Sequence, residues 1–182
     1  MAKQVFSVPF ALELMGKSVN EVLDKCVVFD PQLSQVDREL DQLFDARVGC
    51  HCCFKIEDYQ AHSIVGINFV MGKAVESIIS LEEPVDMERF PGEYEVFNTI
   101  TRSLEKQYSN GRVQQDDQEF GKVFLWKTDC VLIGLVSYPE HGANDLGVLL
   151  SVQIRDIKLH PDRSDLLLWY EEATNPIPKL WL

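Results

Sequence analysis

A chain of 182 residues is long enough for one full hydrophobic core, and an apolar share of 46% is ordinary for a globular protein. No apolar run approaches the roughly eighteen residues that a membrane-spanning helix needs. The net charge of −12, from 29 acids against 17 bases, argues against nucleic acid and anionic membranes, which select Lys and Arg clusters, and instead would steer a basic partner.

The N-terminal stretch MAKQVFSVPFALELMGKS carries a short apolar patch broken by Pro9 and Glu13, with no small-residue cleavage site. It does not read as a signal peptide, so a cytoplasmic protein is expected. The five cysteines, Cys26, Cys50, Cys52, Cys53 and Cys130, are an odd set with three crowded into four positions. Reduced thiols fit that pattern better than a secreted disulfide framework.

Val5 to Leu14 reads as an edge strand or an extended lead-in. Ser18-Val-Asn-Glu21 is a capping box, in which the serine covers free amides and the glutamate reaches back to the serine N–H. Val19, Val22, Leu23 and Cys26 then share a face, which predicts a short helix to about Val27, broken by Asp30-Pro31. Leu33, Val36, Leu40, Leu43 and Phe44 keep helical spacing and predict a second short helix over Ser34 to Asp45.

Gly49 changes the period. Cys50 to Glu57, Ile64 to Val70 and Ala74 to Leu81 read as three strands, with Met71-Gly72-Lys73 a tight hairpin turn and Tyr59 to Ser63 a looser one. From Pro91 to Asn110 comes the most strongly patterned helix. Phe90, Tyr94, Phe97, Thr101, Leu104 and Tyr108 recur at spacings of four, three, four, three and four, which is one apolar stripe. Pro91 suits the first turn and Asn110-Gly111 the left-handed close. After a polar loop, Arg112 to Glu119, the strands Phe120 to Lys127 and Cys130 to Tyr138 join at Thr128-Asp129. A loop, Pro139 to Asp145, leads to a third strand, Leu146 to Ile154, and Asp165 to Tyr170 is a final strand or helical turn.

This order predicts an α+β fold: antiparallel sheet with a central amphipathic helix, and a tandem arrangement of helix plus three strands. A single domain, 1–182, is expected, with halves 1–83 and 84–182 sharing a core.

Gly49-Cys-His-Cys-Cys53 is the stretch that invites a metal. On a strand, Cys50 and Cys52 face one way and His51 and Cys53 the other, so neither face supplies more than two ligands. His62, Cys26 or Cys130 would have to be brought in by tertiary structure. Small core side chains explain the run better, and no metal or other cofactor is expected. Gly16-Lys17-Ser18 resembles the end of a phosphate-binding loop, but Ala11 stands where that loop needs a glycine. Cys130 with His141 is a thiol–imidazole pair only if the Pro139 to Asp145 loop folds back. No catalytic residues are assigned.

The charge is uneven. Between Glu76 and Glu95 lie seven acids, Glu76, Glu82, Glu83, Asp86, Glu88, Glu93 and Glu95, against the single base Arg89, a net −6. Asp116, Asp117 and Glu119 form a smaller acidic loop. A charge run of this kind is either a solvated face or a partner-binding surface, and these carboxylates are the candidates for the second role.

The run from Ile64 to Ile133 has a cadence of its own: GINF-x-x-GK-x-VESI-x-L, an aromatic-striped helix ending Leu104-x-x-x-Tyr108, then FLW-x-TDCVLIGL. It resembles small bacterial α+β proteins, many of them immunity or inhibitor proteins that guard against contact-dependent or secreted polymorphic toxins. The doubled order of helix and meander is similar to tandem-repeat beta-lactamase inhibitory proteins. The resemblance rests on core and turn positions, so no site residues carry over. It implies a cytoplasmic immunity protein that binds and neutralises a cognate toxin domain, basic and in some cases a nuclease. The rival readings are an enzyme with a site assembled from dispersed residues and a structural or adaptor module of a bacterial assembly.

Overall fold

The computed structural model describes residues 4–26, 30–32, 34–35, 43–86, 88–89, 93–108, 113–117, 121–137 and 150–160. Its elements are β1 (Val5–Phe6), α1 (Val8–Leu14), α2 (Val19–Lys25), β2 (Ala46–Ile56), β3 (Tyr59–Val70), β4 (Lys73–Pro84), α3 (Glu93–Gln107), β5 (Val113–Asp117), β6 (Gly121–Lys127), β7 (Val131–Ser137) and β8 (Leu150–Asp156). The expected α+β class holds. Strands β2 to β8 pair antiparallel, and β1 adds a parallel pairing at the edge, giving the order β1-β2-β3-β4-β8-β7-β6-β5.

The start of the chain differs from the sequence reading. Only Val5 and Phe6 are strand, with Val5 opposite Cys53, and the rest of the apolar patch is α1. Ser7 caps that helix by accepting from Phe10 N at 3.3 Å, and Pro9 lies in the first turn, where its missing N–H costs nothing. Seven residues are too few for their periodicity to separate a helix from a strand.

The capping box of α2 forms as expected. Glu21 N donates to Ser18 Oγ at 3.3 Å and Ser18 N donates to Glu21 Oε2 at 2.8 Å. These bonds, backbone first, hold the Glu21 carboxyl below its ordinary value. Gly16-Lys17-Ser18 is not a phosphate cradle. Gly16 takes φ +74° and donates to Ala74 O at 2.7 Å, while Ala74 N donates to Lys17 O at 2.8 Å. The linker between α1 and α2 is thereby pinned to the start of β4.

The first meander follows the predicted strands, lengthened at their ends. Met71-Gly72 makes the tight turn, both residues with positive φ. The looser turn expected over Tyr59 to Ser63 is absent: the chain turns at Glu57-Asp58, and Tyr59 already pairs with Ile56. Tyr59 is fully buried, so β3 begins early enough to carry that ring into the core, and Glu57 takes a positive φ in the turn before it.

The second round departs from helix plus three strands. It has four, because Val113–Asp117, read as part of a polar loop, pairs with β6 as β5. Val-Gln-Gln-Asp-Asp lacks the alternation that marks a half-buried strand, and polar sequence is usual where a strand lies at a sheet edge. Thr128 shapes the turn between β6 and β7, accepting from Val131 N at 3.0 Å through Oγ1. The last strands of the two rounds, β4 and β8, pair with each other, so one sheet runs through both halves.

The helix α3 lies across this sheet. Phe97, Thr101 and Leu104 of the expected stripe are buried and Tyr108 is half-buried, joined by Val96, Ile100 and Ser103. Contacts reach β3 of the first meander and β7 of the second. The Phe97 ring meets Phe124 of β6 edge-on at 5.1 Å, and Phe124 stacks on Trp126 at 6.2 Å. The Tyr94 side chain, Phe90, Pro91 and the Asn110-Gly111 close lie outside the described residues. So do most of the helix expected over Ser34 to Asp45, the Pro139 to Asp145 loop with His141, and the Asp165 to Tyr170 element.

Candidate partner-binding surface

The ten candidate carboxylates do not share one surface. Glu82 lies exposed on β4, Asp86 and Glu88 are exposed just after it, and Glu95 is exposed on the first turns of α3. Glu83 is on β4 and Glu93 opens α3. Asp116 and Asp117 are on β5, four strand spacings from β4, about 19 Å at ~4.8 Å per strand. They lie on the edge strand, whereas β4 is in the interior of the sheet. Glu119 lies outside the described residues.

Glu76 corrects the sequence reading outright. It is 2% exposed and cannot face a partner. The sheet register lines up Arg47, Asn68, Glu76 and Arg155 as direct neighbours on β2, β3, β4 and β8. Arg47 Nε donates to Asn68 Oδ1 at 2.7 Å, Asn68 Nδ2 to Glu76 Oε2 at 2.7 Å, and Arg155 Nε to Glu76 Oε1 at 2.6 Å. His160 Nε2 stands 3.6 Å from the same Oε1, with Phe44 edge-on to its ring at 5.7 Å. Burial alone would raise the Glu76 carboxyl. His160, Arg155 and Asn68 together outweigh burial and hold it below the ordinary value. The row is a structural ion network, and a linear charge count cannot separate such an acid from its exposed neighbours.

The stretch carrying Glu82, Asp86 and Glu88 runs to the end of the sheet where β2 turns into β3. Val85 N donates to Gln60 O at 2.9 Å, which carries the β4 pairing one residue past its end. Asp86 Oδ1 accepts from Arg89 N at 3.1 Å, and Arg89 Nη2 donates to Asp58 Oδ2 at 3.2 Å. Lys106 Nζ lies 3.2 Å from Glu57 Oε2, tying the last turn of α3 to the same hairpin. Sequence reasoning missed Glu57 and Asp58, which stand well before the acidic run and join it only through folding. It also missed Val85, 53% exposed between Glu82 and Asp86. An exposed β-branched residue inside a charge run was the available signal.

The cysteine run alternates as expected: Cys50 and Cys52 are buried, His51 is exposed and Cys53 half-buried. Folding places Cys26 in the core with Cys50, and His62 opposite Cys53. Among the described residues, however, no three His, Cys, Asp or Glu side chains are arranged to hold a metal ion. No helix among them is long and apolar enough to cross a membrane. Compared with protein-family models, with curated proteins and with solved structures, the chain gives no match.

Proposed function

We propose that the chain is a non-enzymatic binding protein of the immunity type, which occludes a basic toxin domain in the cytosol. The observation that carries this reading is the exposed set Glu82, Asp86 and Glu88 around the half-exposed Val85, fixed to the β2–β3 hairpin by the Arg89–Asp58 pair. Carboxylates supply long-range attraction to a basic partner, and an apolar residue among them supplies the desolvated contact that slows dissociation. Arg89, the one base of the run, is already paired to Asp58, which leaves the field of that end acidic.

The test is capture from cells of the source organism, with wild-type protein and a Glu82→Lys, Asp86→Lys, Glu88→Lys triple variant as parallel baits. A basic protein held by the wild type, inactivated by it and lost from the variant supports the reading. Equal capture by both baits places the contact elsewhere. Turnover of a small substrate by the purified chain removes the binding-only reading.

A further inference from the structure

The cysteine run of β2 leaves one thiol on the outer face of the sheet. Cys50 and Cys52 turn into the core, while His51 and Lys55 are exposed and Cys53 between them is half-buried. Across the ladder Cys53 pairs with His62 of β3, which is half-buried as well. The Cys53 N–H points away from β3 and donates to Gln4 O at 2.9 Å, so the pair is of the non-hydrogen-bonded kind. Pairs of that kind bring their Cα atoms to about 4.5 Å and their side chains closest together on the shared face. A thiol and an imidazole therefore stand side by side, within reach of each other by side-chain rotation.

His51, on the same face, is the poorer partner. Two residues along one strand put its Cα about 6.8 Å from that of Cys53. Its Nε2 lies 3.3 Å from Asp30 Oδ2. Asp30 is itself fixed, its N donating to Gly49 O at 2.9 Å and its Oδ1 accepting from Gln32 N at 2.8 Å. The bond that the Cys53 thiol makes to Phe54 O is long, 3.8 Å, and a weak S–H donor gives it up at little cost.

We propose that Cys53 is a thiol-exchange site with His62 as its base, and that it takes a small disulfide of the glutathione type. His62 accepts the thiol proton, and the Cys53 thiolate attacks one sulfur of the disulfide. The S–S bond breaks, the protein keeps one half as a mixed disulfide, and the other half leaves as a thiolate that His62 reprotonates. The Cys53 sulfur is oxidised and the leaving sulfur is reduced, so the electrons balance. Lys55, exposed on the same face, offers a cation to the carboxylates of such a ligand. The other cysteines are worse placed. Cys26, Cys50 and Cys52 are buried, and Cys130, though exposed, follows the exposed Asp129, whose charge opposes a thiolate. The site uses none of the acids of the proposed partner surface, so either reading stands or falls without the other.

The full chain is incubated with oxidised glutathione, quenched with acid at intervals and peptide-mapped by mass spectrometry. A His62→Gln variant is run beside the wild type. The expected result is a glutathione adduct on Cys53 that forms at least as fast as any on the more exposed Cys130. His62→Gln should slow the Cys53 adduct about tenfold or more, with the Cys130 rate and the melting temperature unchanged. In the wild type alone, adducts confined to Cys130, or formed there much faster than on Cys53, overturn the proposal. A folded His62→Gln chain that modifies Cys53 at the wild-type rate overturns it as well.

Discussion

Arg155 Nε and Glu76 Oε1 stand 2.6 Å apart across β8 and β4, the strand pair that joins the two meanders into one sheet. The pair sits at the seam of the fold, with the carboxylate 3% exposed and the guanidinium 21% exposed. Glu76→Gln keeps the shape but leaves Arg155 without its counter-charge, and should cost about 3–5 kcal/mol in urea unfolding. Because folding holds the Glu76 carboxyl below 4.5, its stabilisation is complete above that pH and is lost as pH falls through the depressed folded value. The acid limb of a melting-temperature profile should therefore be flatter in Glu76→Gln than in wild type. An unchanged acid limb would count against a charged Glu76.

Phe97 joins α3 to the second meander through Phe124 and is 6% exposed. Phe97→Ala removes the ring and leaves a cavity under the helix, at an expected cost of about 3–5 kcal/mol by chemical denaturation. A loss under ~1 kcal/mol would mean that α3 does not close the core there.

Thr101 is buried on the same helix face, and among the described residues its Oγ1 has no hydrogen-bond partner. Thr101→Val keeps the shape and removes the stranded hydroxyl. The variant should be about 1 kcal/mol more stable than wild type, since an unsatisfied buried hydroxyl costs roughly that much. A destabilised Thr101→Val would show that the hydroxyl is satisfied in solution.

For the acidic end of the sheet, association with the captured partner should accelerate as salt falls and slow as the screening length shrinks toward about 8 Å at physiological ionic strength. Glu82→Lys with Glu88→Lys should lower the on-rate and flatten its salt dependence, with an unchanged melting temperature. Val85→Ser should act mainly on the off-rate.

The sequence by itself determined those features whose cause is local. The Ser18–Glu21 box is spelled in four adjacent residues, and the Phe97, Thr101, Leu104 spacing is a property of one helix. The β2, β3 and β4 segments declare themselves by alternation around Met71-Gly72. Tertiary structure decided whatever depends on residues distant in the chain. Glu76 reads as one more acid in a charged run until β8 delivers Arg155 from 79 residues away. Asp58 reads as a turn residue until Arg89 folds onto it, and Cys26 as a helix-face residue until the fold buries it in one core with Cys50. β5 has too polar a sequence to announce itself, because the partner strand and not its own side chains makes it a strand. Burial and charge pairing depend on distances in space, and linear spacing records those distances only within a single helix, strand or turn.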